Sequence, residues 1–315
     1  MKHRIVVGGW LATLLIFCSI SFSYGQGCSD AGFCTMGALR PDQAFNRRVQ
    51  FRLRSVEFSQ YLGKTRFKDF VHVSTLEATL GINDANAIHV KLPFQFVQGP
   101  LGTHGGLGDL SLSYTRTLVV KDDWQVQASV GTKVPLRQPN LVHESGLPLP
   151  MYYQPTLGTV DLIAGVSFIS KEWLVATGVQ HALNPNSSDF LWAPWEGHPL
   201  RDVILTYPQS NQVRRGTDVM LRVQYTLRLG NKYMFVGALP IYRLAEDQIV
   251  NPAGDLVSIA GSDGLALTGL LGGGYRFNTR SGIKGLLGMA LVQRLKNPDG
   301  LSRKYVFSVG YEYRF

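Results

Sequence analysis

The chain has 315 residues and a formal net charge of +9, with hydrophobic residues at 45%, charged residues at only 17%, 34 Gly and 13 Tyr. The positive charge is spread along the chain, which excludes the concentrated cationic patch that nucleic-acid binding requires. Average apolarity with few charges and much Gly and Tyr suits an all-β barrel, in which apolar and polar residues alternate instead of forming long runs.

Residues 1–25 read as an export signal. Lys2 and Arg4 give a positive start, residues 5–22 are apolar, and Ser23, Tyr24 and Gly25 place small residues at the cleavage positions, with Gln26 next. Removing Lys2 and Arg4 lowers the formal charge from +9 to +7. No other segment approaches the ~18 continuous apolar residues of a membrane-spanning helix. Residues 26–46 form a polar, Gly-rich lead on the periplasmic side. It carries Cys28 and Cys34, and in an exported chain this pair can close a small disulfide loop, serving as a plug or lying within an unstructured tail. Lipidation of Cys28 would need an aliphatic residue three positions before it, where Gly25 stands. The His residues are scattered without ligand spacing, so no metal and no cofactor is expected.

From residue 47 the chain reads as twelve strands: 47–61, 70–81, 87–97, 109–119, 123–136, 159–169, 172–182, 217–229, 232–244, 265–278, 282–294 and 302–315. In the first, Val49, Phe51 and Leu53 share one parity and Val56 and Phe58 the other, so a bulge near Ser55 is expected. The third sets Ile88, Val90, Leu92, Phe94 and Phe96 against His89, Lys91, Pro93 and Gln95. The eighth sets Val219, Leu221, Val223, Tyr225, Leu227 and Leu229 against Asp218, Met220, Arg222, Gln224, Thr226 and Arg228. A period of two gives each strand one oily face and one wet face. The last strand, SRKYVFSVGYEYRF, has Tyr305, Phe307, Val309, Tyr311, Tyr313 and Phe315 in phase.

Every second connection is tight: 83–86, 121–123, 171–172, 230–231 and 279–281. The others are mostly long, at 97–108, 137–158, 183–216 and 245–264, with short ones only near residues 63–64 and 297–300. That sorting predicts a closed antiparallel transmembrane β-barrel of about 12 strands, with short periplasmic turns, long external loops and one domain over residues 47–315. Closure follows because lipid cannot satisfy the N–H and C=O groups of an open edge. The apolar parity then faces hydrocarbon and the polar parity the lumen. Lys91, Gln95, Gln125, Gln127, Lys133, Arg222, Gln224, Arg228 and Arg276 are the candidate lumen-lining residues, with Glu312 and Arg314 beside them. Trp124, Trp173, Tyr233, Tyr275 and Phe315 are expected in the interfacial aromatic girdles.

The chain's end resembles the closing strand of Gram-negative outer-membrane barrels, whose assembly signal Ser308, Gly310, Tyr313 and Phe315 match. GLGDLSLSYTRTL (106–118), VGTKVPL (130–136) and LPMYYQPTLGTVDLIAGVSF (149–168) resemble the outer-membrane barrels described as transporters of the "MetA pathway of phenol degradation" type. The QGCSDAGFC start resembles exported proteins of the Bacteroidota. The resemblance implies a passive channel in the cell outer membrane for small solutes, aromatic or hydrophobic ones among them. Its partners would be outer-membrane lipid, the barrel-assembly machinery and a small-molecule solute.

Two other classes remain to be weighed. A lipid hydrolase would need a rigid Ser/His pair, and His143 and Ser145 with Glu144 sit in a long, Pro-rich loop that orients a base poorly. A surface adhesin or assembly barrel would use exposed aromatics of loop 184–215, namely Phe190, Trp192, Trp195 and Tyr207. The alternative is that these fold inward and constrict the pore, which is the preferred reading.

Overall fold

The computed structural model describes residues 52–315. The expected export signal, the Cys28–Cys34 segment and the start of the first strand lie outside the described residues. In chain order the strands are β1 (Arg52–Lys64), β2 (Phe70–Asn83), β3 (Asn86–Gly99), β4 (Gly102–Leu107), β5 (Asp109–Val120), β6 (Trp124–Pro135), β7 (Asp161–Ser170) and β8 (Trp173–Ala182). They continue with β9 (Asp218–Leu229), β10 (Lys232–Arg243), β11 (Gln248–Val250), β12 (Leu256–Ser258), β13 (Gly264–Arg276), β14 (Ser281–Val292) and β15 (Tyr305–Arg314).

All but β11 and β12 form one antiparallel sheet. It closes where β15 pairs with β1, from Ser55 opposite Arg314 to Lys64 opposite Tyr305. The lower half of β3 pairs with β5 and its upper half with β4, so β4 and β5 are one stave and the barrel has twelve. Among the described residues each of the twelve staves is paired on both sides, as the hydrocarbon phase requires, and only β4, the extension of β5, has a partner on one side alone. β11 and β12 make a separate hairpin in a loop.

The alternation is physical, not nominal. Leu76 on β2 is 52% exposed, while its neighbours Thr75 and Glu77 are 6% and 8% exposed. Phe58, Phe96, Leu112, Val130, Val166, Leu227, Val236, Leu271, Leu287 and Phe307 repeat this pattern around the circumference. A continuous apolar band of that extent is untenable in water and natural against lipid. The tight turns are set by side chains: Asn83 Oδ1 accepts from the Ala85 N–H at 3.0 Å, and Asn278 Oδ1 accepts from the Arg280 and Ser281 N–H groups at 2.8 Å each.

Among several register irregularities in the described strands, two are tied to a change of phase. One lies between Leu53 and Ser55, where the parity change of the first strand placed it. The other is at Gly108, whose N–H donates to Pro93 O at 2.9 Å. It resets the parity so that Asp109 turns inward.

The structure corrects three expectations. Residues 97–108 are no long loop: β3 continues to Gly99, turns, and returns as β4. Tyr233 does not join an outer girdle. It falls on the inward parity of β10, its ring lying over Gly274, where a side chain would collide with it. The inner face is not uniformly polar either. Ile163, Ile169, Leu174, Ala176, Met220, Phe235, Leu239, Ile241 and Leu270 form a buried apolar cluster along the inner side of β7, β8, β9, β10 and β13.

Candidate functional site: the barrel interior and its cap

At the long-loop end of the lumen, Lys91, Gln95 and Lys133 come together with Thr75, Asp109 and Ser111 around a cavity of about 680 Å³, open side included. Lys133 pairs with Asp109 at 3.2 Å. At the short-turn end, Arg228 and Arg276 line a second recess with Tyr233, Lys284, Glu312 and Arg314. Gln125 is buried on the inner face of β6, and Gln127 reaches Thr117 at 3.4 Å. Arg222 is fully buried and donates to Gln224 Oε1 at 2.8 Å, and Gln224 donates on to Thr226 at 3.1 Å. The nine candidates therefore do not make one site. They fall into two recesses and a polar strip between them.

The upper cavity has a roof made by the loops, which fold over the barrel end. Residues 136–160 cross it as an irregular strap with a single 3-10 turn, Met151–Tyr153. Gln154 organises the strap: its Nε2 donates to Leu141 O at 3.0 Å and Leu149 O at 3.1 Å, and its own carbonyl accepts from wall residue Gln95 at 3.0 Å. Thr156 and the Leu157 N–H both reach Asp109 on β5. Residues 293–304 come so close beneath the strap that a Cβ at Gly300, which has φ of +73°, would sit 2.7 Å from Met151 backbone.

Two seams hold this cap. On the side of β1, β2, β3 and β15, the apolar side chains Tyr61, Val71, Val97, Leu149, Tyr152, Phe190, Trp195, Ile204 and Val306 pack together. The buried Asp69 is the polar centre of this seam. Tyr153 and Tyr207 donate to its Oδ1 at 2.7 Å each, and Thr65 to its Oδ2 at 2.9 Å. One carboxylate thus ties together the 65–69 turn and the two longest loops.

On the opposite side, at the upper ends of β7, β9 and β10, the seam is ionic. Arg243 makes three contacts, at 2.7 Å to Asp218, 2.6 Å to Asp247 and 2.9 Å to Asp299. Arg215 reaches Asp161 at 2.7 Å, and Arg294 lies 3.9 Å from Asp218. Arg215, Asp247, Arg294 and Asp299 come from three different loops, whereas Asp161, Asp218 and Arg243 belong to the wall.

Burial penalises every charge here; it prevails at Asp247 and Arg294, and pairing outweighs it at Asp299 and Arg215. At Asp299, burial works against the carboxylate, but Arg243, Arg294 and Arg215 outweigh it and hold the pKa well below the usual range. Arg215 is likewise disfavoured by burial but held cationic by Asp161, Asp299 and Asp218. Among the tyrosines, burial pushes the Tyr152 phenol up to about 12. Burial and then the Asp69 charge push Tyr153 and Tyr207 higher still.

Sequence reading put Asp218 on the polar parity of its strand without making it a candidate, and did not single out Asp69, Asp161, Arg243, Asp247 or Asp299. A usable signal existed for three of them. Asp161, Asp218 and Arg243 are charges at strand ends, in phase with the inward set.

His143 Nδ1 lies 2.9 Å from Ser145 Oγ, so that pair is real. The same nitrogen also accepts the Ser145 N–H at 3.2 Å, and the pair is a local turn contact on the outer surface. Ser308 and Gly310 stand on the inward parity of β15. Tyr313 and Phe315 point outward, with ring centres 5.1 Å apart. Among the described residues no group of three or more His, Cys, Asp and Glu side chains is placed to hold a metal.

A closed antiparallel barrel of twelve staves has counterparts among solved structures. The fold is that of the outer-membrane β-barrels. An outer-membrane channel from Pseudomonas putida F1 superposes with a TM-score of 0.58 at 14% identity, over 87% of this chain and 99% of that one. Weaker likenesses are the NanC porin, at a TM-score of 0.48, 9% identity and 84% and 100% coverage, and the KdgM porin, at 0.40, 7% and 83% and 99%. No family model and no curated sequence matches the chain. At such identities the likeness concerns the fold, and function has to be argued from the interior itself.

Proposed function

We propose that the protein is a channel of the Gram-negative outer membrane for the passive passage of small solutes, apolar and aromatic ones included, with its outer entrance narrowed by its own loops. One observation carries the reading. The barrel turns hydrocarbon-like residues outward along its whole height while its inner face holds two recesses lined by charged and polar groups, at opposite ends. The apolar cluster between them, from Ile163 to Leu270, gives an uncharged solute body a wall to follow.

The partners in this reading are outer-membrane lipid on the apolar band, the barrel-assembly machinery at the chain's end, and the solute. The adhesin reading loses its support, because Phe190, Trp195 and Tyr207 are fully buried in the cap. For hydrolysis, His143 would need a third group on its other ring nitrogen to orient it, and among the described residues Nε2 has no hydrogen-bond partner.

The test is electrical. The full chain reconstituted in a planar lipid bilayer should give stepwise currents, and shortening the strap at residues 138–148 should raise the unit conductance. Absence of steps from correctly folded, heat-modifiable protein would remove the channel reading.

A further inference from the structure

The recess at the short-turn end is not explained by a roofed, general pore. It lies on the inner side of β9, β10, β13, β14 and β15, where Arg228, Arg276, Lys284 and Arg314 converge. The carboxylates near them are Glu57, held by Lys284 at 2.6 Å, and Glu312, held by Arg314 at 2.6 Å. Arg228 spends its Nε on Lys171 O at 3.0 Å. Arg276 differs: half-buried, its backbone N–H donates to Asn231 O at 2.8 Å, but its guanidinium makes no hydrogen bond or salt bridge with any described residue. A half-buried guanidinium set among like charges is costly to hold without a partner, and its planar fork matches an oxyanion.

Immediately above Arg276 the chemistry changes. Inward positions on β13 are Gly274, Gly272 and then Leu270. The rings of Tyr233 and Phe235 lie against those two glycines, within 2.6 Å and 2.3 Å of where a Cβ would stand. Both rings are pressed onto the wall, and with Leu286 they join the apolar cluster. The recess therefore offers a basic floor and, next to it, an aromatic and aliphatic face.

We infer that this inner mouth is a binding site for a small organic anion, whose carboxylate docks on Arg276 and whose apolar body lies along Tyr233, Phe235 and Leu286. The site rests on the channel reading for its place in transport, but binding there does not require conduction. Arg228 and Arg314 add attraction at the entrance, and Lys284 fixes Glu57 so that the floor keeps a positive surplus. A solute with charge but no body, or body but no charge, uses only half of the site.

Calorimetric titration of the full, detergent-solubilised protein with benzoate, phosphate and benzyl alcohol tests the inference independently of currents. Benzoate should bind at least about tenfold tighter than either of the others, since each lacks one of the two contacts. Arg276→Gln should weaken benzoate about tenfold. Arg276→Lys, which keeps the charge without the fork, should recover part of the loss, and Arg228→Gln should weaken benzoate less. Unchanged heat-modifiable migration identifies variants that still fold. Benzoate binding no tighter than phosphate and benzyl alcohol, or binding indifferent to Arg276→Gln, overturns the site and leaves the channel reading standing. Tight benzoate binding without bilayer currents does the reverse.

Discussion

The cap is fastened to the barrel by two seams of opposite chemistry. On the β1–β3 side, Tyr152, Trp195 and Tyr207 are packed among aliphatic residues around one carboxylate, Asp69. On the β7–β10 side, three arginines and four aspartates are buried and paired with one another. The aromatic seam gains from burial of apolar area and tolerates small errors. The ionic seam works only as a complete set, because a buried charge without its partner costs far more than the pair contributes. The first should yield gradually and the second all at once.

Arg243→Met should break the contrast most severely. It leaves Asp218, Asp247 and Asp299 without their shared cation, and losing one partner of a buried ionic set costs about 3–5 kcal/mol. The midpoint of heat-induced loss of β structure, followed by circular dichroism, should fall accordingly and the unit conductance should rise. A midpoint within error of wild type would show that the network is solvated and not a fastening. The acid response has a defined sign. Asp299 is held below the ordinary carboxylate pKa of about 4, so its contribution is present above that pH and is lost as pH falls through its folded value. Through Asp299, acid should therefore loosen the ionic seam, opposed by Asp247, whose carboxyl burial pushes up.

These seams mark the limit of what the sequence discloses. The barrel itself was legible, because lipid enforces a period of two and strand–turn–strand geometry enforces the sorting of connections. On β7 and β8, however, the runs DLIAGVSFIS and WLVATGVQHA are apolar on both parities, and periodicity cannot show that Ile163, Ile169 and Leu174 face inward. Tyr233 reads as a girdle residue because aromatic strand ends usually are. Only Gly274 on a strand thirty or more residues away makes the inward position roomy enough. The cap was legible only as a preference for inward-folded aromatics. Asp69 and Tyr207 are 138 positions apart, and no local pattern joins them.

The aromatic seam should fail at the other end of the pH scale. Burial raises the Tyr152 phenol to about 12, and Tyr153 and Tyr207 lie higher, against about 10 in the unfolded chain. Their contribution is fully present below pH of about 10 and is lost as pH rises through the folded values. Conductance should increase over that interval together with tyrosinate absorbance, while Arg215, held above its ordinary pKa, keeps the ionic seam charged. Asp69→Asn should reproduce part of this at neutral pH. It weakens the bonds from Tyr153 and Tyr207 at a cost of about 1–3 kcal/mol. Conductance insensitive to both treatments would place the fastening entirely on the ionic side.

The smallest effect belongs to the end of the barrel that has no cap. At Gly274 an added methyl would lie 2.6 Å from the Tyr233 ring, so Gly274→Ala must push that ring off the wall and into the recess. Rotation of one side chain away from its preferred position costs about 1 kcal/mol, too little to move the unfolding midpoint far. The consequence should appear in the lumen instead, as lower unit conductance and weaker benzoate binding with the cap undisturbed. Gly285→Ala supplies the contrast on the next strand. Its methyl would stand 3.8 Å from the nearest neighbour, Ser308 O, and should change neither quantity. If both alanines behaved alike, the inner mouth would be wide enough to ignore a displaced ring, and Tyr233 would be filling space that nothing else uses.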